Sequence, residues 1–210
     1  MSWQPVNIDQ WNRKDLYAFF KGFDEPFFGV TFNTRVSGGY DFCKENERSF
    51  FVYYLYATLR AVNAVEQMRI RILEDKPVIF DRVSISPTIK REDGSFGFSY
   101  MEYKDSFEDF YESTMEEMER VARNSDLVPS GDTIGTVHFS ALPWLKFTSL
   151  SHARNYKDND SVPKISVGKL FKEDEQLLMP VSVHVNHALA DGVHVGQFAE
   201  ALEEFINTEY

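Results

Sequence analysis

The sequence predicts an α+β fold of two layers, a mixed β-sheet packed against helices. Three observations carry that prediction. The 210 residues are 43% hydrophobic and 15% aromatic, enough to bury one sizeable core, so residues 1–210 are expected to form a single domain. Segments with the two-residue alternation of a strand outnumber those with helical spacing. The two kinds of segment also fail to interleave one by one, as the repeats of a doubly wound parallel sheet would.

Residues 26–36, PFFGVTFNTRV, set Phe28, Val30 and Phe32 on one face and Gly29, Thr31 and Asn33 on the other, as a half-buried strand does. Residues 49–65, SFFVYYLYATLRAVNAV, are apolar around most of a helical circumference and long enough for a buried helix, with Ser49 as its N-cap. Short strands are expected at 69–73, 78–80, 83–89 and 95–100. Residues 106–123 carry Phe107, Phe110, Tyr111, Thr114, Met118 and Val121 at helical spacing opposite a face of glutamates, the pattern of an amphipathic surface helix. Strands follow at 136–142, 164–171 and 177–187. A last helix at 193–206 turns Val195, Phe198, Leu202 and Phe205 inward. No repeat of fixed period and no low-complexity linker interrupts this order.

Composition removes several classes of function. Lys and Arg number 22 against 33 Asp and Glu, a net charge of −11, so nucleic acid and anionic membranes are repelled on average and neither is an expected partner. An anionic ligand must find a local basic patch. The single cysteine, Cys43, leaves no intrachain disulfide and no CxxC metal site, which fits a reducing cytoplasm. The first residues show no basic segment followed by an apolar run, and the longest apolar stretch, 50–59, is too short to span a bilayer. A soluble cytoplasmic protein is expected.

Residues 181–198, VSVHVNHALADGVHVGQF, are the most informative stretch. Period two places Val181, Val183, Val185 and His187 on one face and Ser182, His184 and Asn186 on the other. His187 therefore continues the apolar row and enters a tight turn closed by Asp191 and Gly192, ahead of the last helix. Burial in such a row favours the neutral imidazole, able to take a proton from a substrate hydroxyl. The alternative is a core histidine satisfied by a backbone carbonyl, the commoner fate of a histidine in an apolar row. HxxxDG alone arises by accident in roughly one or two of a hundred chains this long. A metal site from His184, His187, Asp191 and His194 has plausible spacing, but His184 and His187 project from opposite faces and one ion cannot readily meet both. No metal is expected.

HxxxDG taken together with WNRKD at 11–15 and PWLKFTS at 143–149 resembles the chloramphenicol acetyltransferase family. The likeness runs over essentially the whole chain, through the aromatic strand beginning at Pro26, the Phe96 strand, the helix start at Phe107 to Phe110, SALPWLKFTS, VPKISVGK and LLMPVSVHVNHALADGVHVGQF. The same signature occurs in dihydrolipoamide acyltransferase cores, which usually belong to longer chains with lipoyl modules. The resemblance implies direct acetyl transfer in a ternary complex, from acetyl-CoA as co-substrate to a hydroxyl of chloramphenicol or a similar aryl or apolar alcohol. No acyl-enzyme and no tightly bound cofactor are implied.

Position by position, the resemblance gives His187 the role of general base and Ser149 that of the hydroxyl stabilising the tetrahedral oxyanion, with Thr148 the neighbouring rival. Without it, Ser149 reads as a hydroxyl closing a strand end. Asp191 is implied to pair with Arg13 and shape the site, while a backbone carbonyl sets the His187 tautomer; Asp191 is equally placed to cap the last helix. Ser166 stands where the family usually carries a threonine that holds a water near the reacting oxygen. Phe20, Phe27, Phe28 and Phe96 would line an acceptor pocket, although buried phenylalanines also simply build cores. Lys169 and Lys146 would supply positive charge for the CoA phosphates, against the plainer reading of two surface lysines.

Two departures stand out. Asn186 occupies the position of a second histidine, and Phe20 that of an aromatic hydroxyl in the acceptor pocket, which leaves the identity of the alcohol open. Familiar members are homotrimers with active sites between subunits, the base of one facing a pocket largely on its neighbour. A non-catalytic trimer that binds CoA or a small apolar molecule is the alternative from a different class.

Overall fold

The computed structural model describes residues 1–125, 127, 131, 134–154 and 160–210. Its main sheet has seven strands: β2 (Phe27–Arg35), β5 (Ser84–Lys90), β6 (Phe96–Phe98), β7 (Thr136–Leu142), β8 (Lys164–Gly168), β9 (Phe171–Glu173) and β10 (Gln176–Asn186). They run in the order β2-β10-β8-β7-β5-β6, with β9 paired to β10. β5, β7 and β8 are parallel and the other pairs antiparallel, so the sheet is mixed, as the sequence predicts. A three-stranded sheet of β1 (Trp3–Pro5), β4 (Lys76–Phe80) and β3 (Ile70–Leu73) stands beside it.

Register explains which side of the main sheet faces the helices. Val183 pairs with Ile165 and Ile165 with Phe139, while Val181 pairs with Val167. These side chains are buried with Leu55, Leu59, Phe198 and Leu202, which come from α3 (Phe50–Ala64) and α5 (Gly192–Ile206). Each such fully buried side chain contributes about 1.5–3 kcal/mol. Displaced by one residue, the outer face is polar. Thr31, Ser182, Ser166 and Ser140 form one row across four strands, and Gly29, His184, Lys164, His138 and Ser86 form the next. α4 (Phe107–Arg123) buries Phe107, Phe110, Thr114 and Val121, and the Ser106 hydroxyl caps it by accepting from the Asp109 N–H at 3.1 Å. Among the described residues no helix is long and apolar enough to cross a membrane.

The structure departs from the sequence expectations at defined points. Residues 164–171 do not form one strand: the Lys169 N–H turns away to Leu145 O at 2.8 Å, separating β8 from β9. The expected strand at 95–100 contracts to Phe96–Phe98. Ser49 does precede α3, but its hydroxyl makes no capping bond, and its N–H donates to Tyr111 Oη at 3.2 Å. β10 ends at Asn186, so His187 opens the turn instead of closing the strand. That turn spans residues 187–189, and Asp191, at φ −137°, is the N-cap of α5 with Gly192 its first residue. β1, α1 (Lys14–Phe20) and α2 (Ser37–Glu45) are additional elements. α2 contains Gly39, where a Cβ would fall 2.1 Å from Ile206 O, so close packing against α5 is what places a poor helix former there.

Candidate active site

A small second core positions the turn after β10. Tyr17 of α1, Ile70 and Ile72 of β3, and Ala188 and Leu189 of the turn are buried together, with Trp11 and Phe20 packed against them. Asn186 fixes the turn's entry. Its backbone carbonyl accepts from Leu189 and Ala190, its Oδ1 accepts from the Ala188 N–H at 3.0 Å, and its Nδ2 donates to Asp160 O at 3.2 Å.

His187 is held through its backbone, one ring nitrogen and its ring face. Its N–H donates to Pro26 O at 2.7 Å, and its imidazole stacks on Phe20 at 4.1 Å and 11° and packs on Phe28 at 4.6 Å. Nδ1 lies 3.1 Å from Ala190 O. A carbonyl only accepts, so Nδ1 carries a hydrogen, and in the neutral ring the lone pair is on Nε2.

Arg13, 4% exposed, ties this turn to both neighbouring helices. Its Nη1 donates to Asp191 Oδ2 at 2.5 Å and its Nη2 to His187 O at 3.2 Å. Asp191 Oδ1 accepts from the Val193 N–H at 3.1 Å, capping α5, so salt bridge and cap coexist. Burial disfavours the ionised Asp191, but the hydrogen bond and charge of Arg13, together with His194 and the Val193 N–H, outweigh it and hold the carboxyl below its usual range. His194 Nδ1 accepts from the Asp191 N–H at 3.1 Å. The same ring nitrogen lies 2.9 Å from Asp191 Oδ1, and burial lowers the His194 pKa against the opposing pull of Asp191.

The remaining sequence-derived candidates gather elsewhere, mostly on the outer face of the sheet. A cavity of about 580 Å³ is lined by Thr88, Phe96, Ser140, Leu142, Trp144, His152 and Ser166, among others. Its described lining includes none of His187, Arg13, Asp191, Phe20 or Phe28. Ser149 is exposed on the segment just before the cavity residues Leu150 to His152. Phe27 faces away from Phe28 and packs against the cations of Arg154 and Lys164, 3.5 and 4.9 Å from its ring centre. Lys146 sits 3.6 Å over the Phe171 ring, and Lys169 is exposed beside it, its backbone bonded to Leu145. Within one chain, then, His187, Arg13, Asp191, Phe20 and Phe28 come together, and Ser166 and Phe96 form a second group near Ser149.

His184 extends from the outer face toward His152, away from His187 and His194, and among the described residues no three His, Cys, Asp or Glu side chains converge as metal ligands. Of the cavity residues sequence reasoning singled out only Phe96 and Ser166, and His152 is the histidine among those it missed. It stands in an irregular segment with no alternation to mark it.

Comparison with known proteins gives the same answer by three routes. The family model described as chloramphenicol acetyltransferase matches residues 1–203. The chain is 27% identical over 201 residues to a chloramphenicol acetyltransferase of Klebsiella, covering 95% of this chain and 92% of the relative. It is 27% identical over 212 residues to chloramphenicol acetyltransferase 3 of Escherichia coli, covering 100% and 99%. A solved chloramphenicol acetyltransferase superposes with a TM-score of 0.90 at 28% identity, over 98% of this chain and 100% of the other. A dihydrolipoamide acetyltransferase of Azotobacter vinelandii shares the fold at a TM-score of 0.70 and 13% identity, covering 97% and 96%. An α+β sheet of this order, an HxxxDG histidine wired to an arginine, and a family match across nearly the full length agree: the chain belongs to the chloramphenicol acetyltransferase family of acyltransferases.

Proposed function

We propose that the protein is a cytoplasmic acetyl-CoA-dependent O-acetyltransferase, residues 1–210 acting as one catalytic domain, with chloramphenicol or a similar aryl or apolar alcohol as acceptor. The observation that carries the reading is the His187 ring, whose Nδ1–H is committed to Ala190 O and whose Nε2 lone pair is left for a proton. In the proposed reaction Nε2 takes the proton of the acceptor hydroxyl as its oxygen attacks the thioester carbonyl. The Ser149 hydroxyl donates to the developing oxyanion, a contact typically worth about 3–4 kcal/mol of barrier. Collapse expels the CoA thiolate, which recovers the proton from the imidazolium. Arg13 and Asp191 keep the turn in place, and Lys146 and Lys169 face the CoA phosphates. No metal and no tightly bound cofactor take part.

The separation of the candidates into two groups within one chain supports a homotrimer, His187 of one subunit facing the Ser149 and Ser166 group of the next. Exposed apolar side chains beside each group, Phe19, Phe23 and Val193 at one and Phe96, Trp144 and Leu145 at the other, support the same arrangement. The test is thiol release from acetyl-CoA with chloramphenicol and a panel of alcohols. Chains carrying His187→Ala and chains carrying Ser149→Ala are each expected to be inactive. Co-refolded in equal amounts, they should recover about a quarter of wild-type activity, because a third of the sites in each mixed trimer join two intact halves. No recovery would sink the shared site. No turnover with any alcohol, with CoA still bound, would favour the non-catalytic trimer.

A further inference from the structure

Two ion pairs have no part in the reaction above, and both stand around the ring of Phe27. Arg154, its side chain only 9% exposed, pairs with Glu25 and lies 3.5 Å from the centre of that ring. Lys164, 7% exposed, pairs with Asp160 at 2.5 Å and lies 4.9 Å from the same centre. Each carboxylate also shapes a bend in its own segment. Glu25 Oε1 accepts from the Phe27 N–H at 3.0 Å, bridging over Pro26, and Asp160 Oδ1 accepts from the Val162 N–H at 3.0 Å, bridging over Ser161 just before β8.

Each bend ends on a group that fixes the turn of His187. The Pro26 carbonyl, held between Glu25 and Phe27, accepts from the His187 N–H at 2.7 Å. The Asp160 carbonyl accepts from Asn186 Nδ2 at 3.2 Å, and Asn186 Oδ1 accepts from the Ala188 N–H at 3.0 Å. The backbone at His187 and just after it is therefore tied to the two bends that the carboxylates shape. An enclosed ion pair often adds little stability over apolar side chains of the same size, whereas a reacting group displaced by 1 Å can lose about 10²-fold in rate. We propose that Arg154 and Glu25 are positioning residues for His187, their ion pair setting the Pro26 carbonyl that receives the His187 N–H, while Lys164 and Asp160 steady the other side of the turn. The proposal rests on the reading of His187 as the base.

Wild type, Arg154→Met, Glu25→Ala, the double variant and Arg154→Lys are compared by thiol release from acetyl-CoA with chloramphenicol and by hydrogen exchange of the His187 amide, resolved by mass spectrometry. Arg154→Met and Glu25→Ala should each lower kcat by about 5- to 10-fold with both KM values within about twofold of wild type. Each should also speed exchange of the His187 amide by about 5- to 10-fold. The double variant should be no slower than either single one, because the two residues act as a unit, and Arg154→Lys, which keeps the cation, should recover most of kcat. If Arg154→Met does not fold, Glu25→Gln, which keeps an acceptor for the Phe27 N–H and loses only the charge, must still speed the exchange. Unchanged exchange at His187, additive losses in the double variant, or KM values that rise as kcat falls overturn the proposal. Failure of the acetyl-transfer reading looks different: wild type then releases no thiol with any alcohol, while exchange at His187 still reports on Arg154 and Glu25.

Discussion

The corner around His187 and the cavity around Ser166 are built by opposite means. At the corner, bonds of 2.5–3.2 Å join Arg13, Asp191 and the turn, one aromatic ring stacks on the imidazole and a second packs against it at a tilt. In the cavity, Ser166 and His152 share one contact of 3.5 Å. A group that must meet a reacting atom needs its geometry settled beforehand. A surface that selects a ligand keeps hydrogen-bonding capacity unspent until the ligand arrives.

The difference can be broken at the corner first. His187→Ala should lower kcat/KM by about 10²- to 10⁴-fold, measured by thiol release, with little change in the unfolding midpoint; activity within tenfold of wild type would remove His187 as base. Ser149→Ala should cost about 10²- to 10³-fold in kcat with the KM values nearly unchanged. Arg13→Met should lower stability by about 2–3 kcal/mol, less than for a fully enclosed pair because the Asp191 side chain is 31% exposed. Urea melts read that loss.

The same pair sets a pH dependence. The Asp191 carboxyl is held below its ordinary value, so its contribution is fully present above that value and is lost as pH falls through the lowered one. Wild-type stability should therefore fall more steeply than that of Asp191→Asn below about pH 4; parallel curves would mean the pair contributes nothing. The smallest effect belongs to the far edge of the cavity side. Lys169→Gln should raise the KM for acetyl-CoA by about 2- to 5-fold, and by less at high salt, as for an exposed charge.

Much of the corner was readable from sequence because its parts lie in short, ordered motifs. Alternation from Val181 to Asn186 sorts the two faces of β10 correctly, and an aspartate before an amphipathic run caps α5 as expected. The bounds were less readable. Two hairpins turn on Glu74–Asp75 and Asp174–Glu175, all four at positive φ, where the usual signal would be Asn-Gly or Asp-Gly. α2 was hidden by Gly38 and Gly39, whose presence answers to packing against α5 and not to helix propensity. The cavity was least legible of all. Thr88, Phe96, Ser140, His152 and Ser166 come from separate segments, and no spacing within any one of them announces that they meet.

The guanidinium of Arg13 bonds to partners 174 and 178 residues further along the chain. During translation α1 must therefore wait, without its anchor, until the chain has been made beyond residue 191. The corner cannot assemble on a nascent chain stopped before the last helix, and late, long-range closure of this kind slows folding. Removing residues 1–13 or residues 187–210 should thus erase the same corner, although the two deletions share no residue.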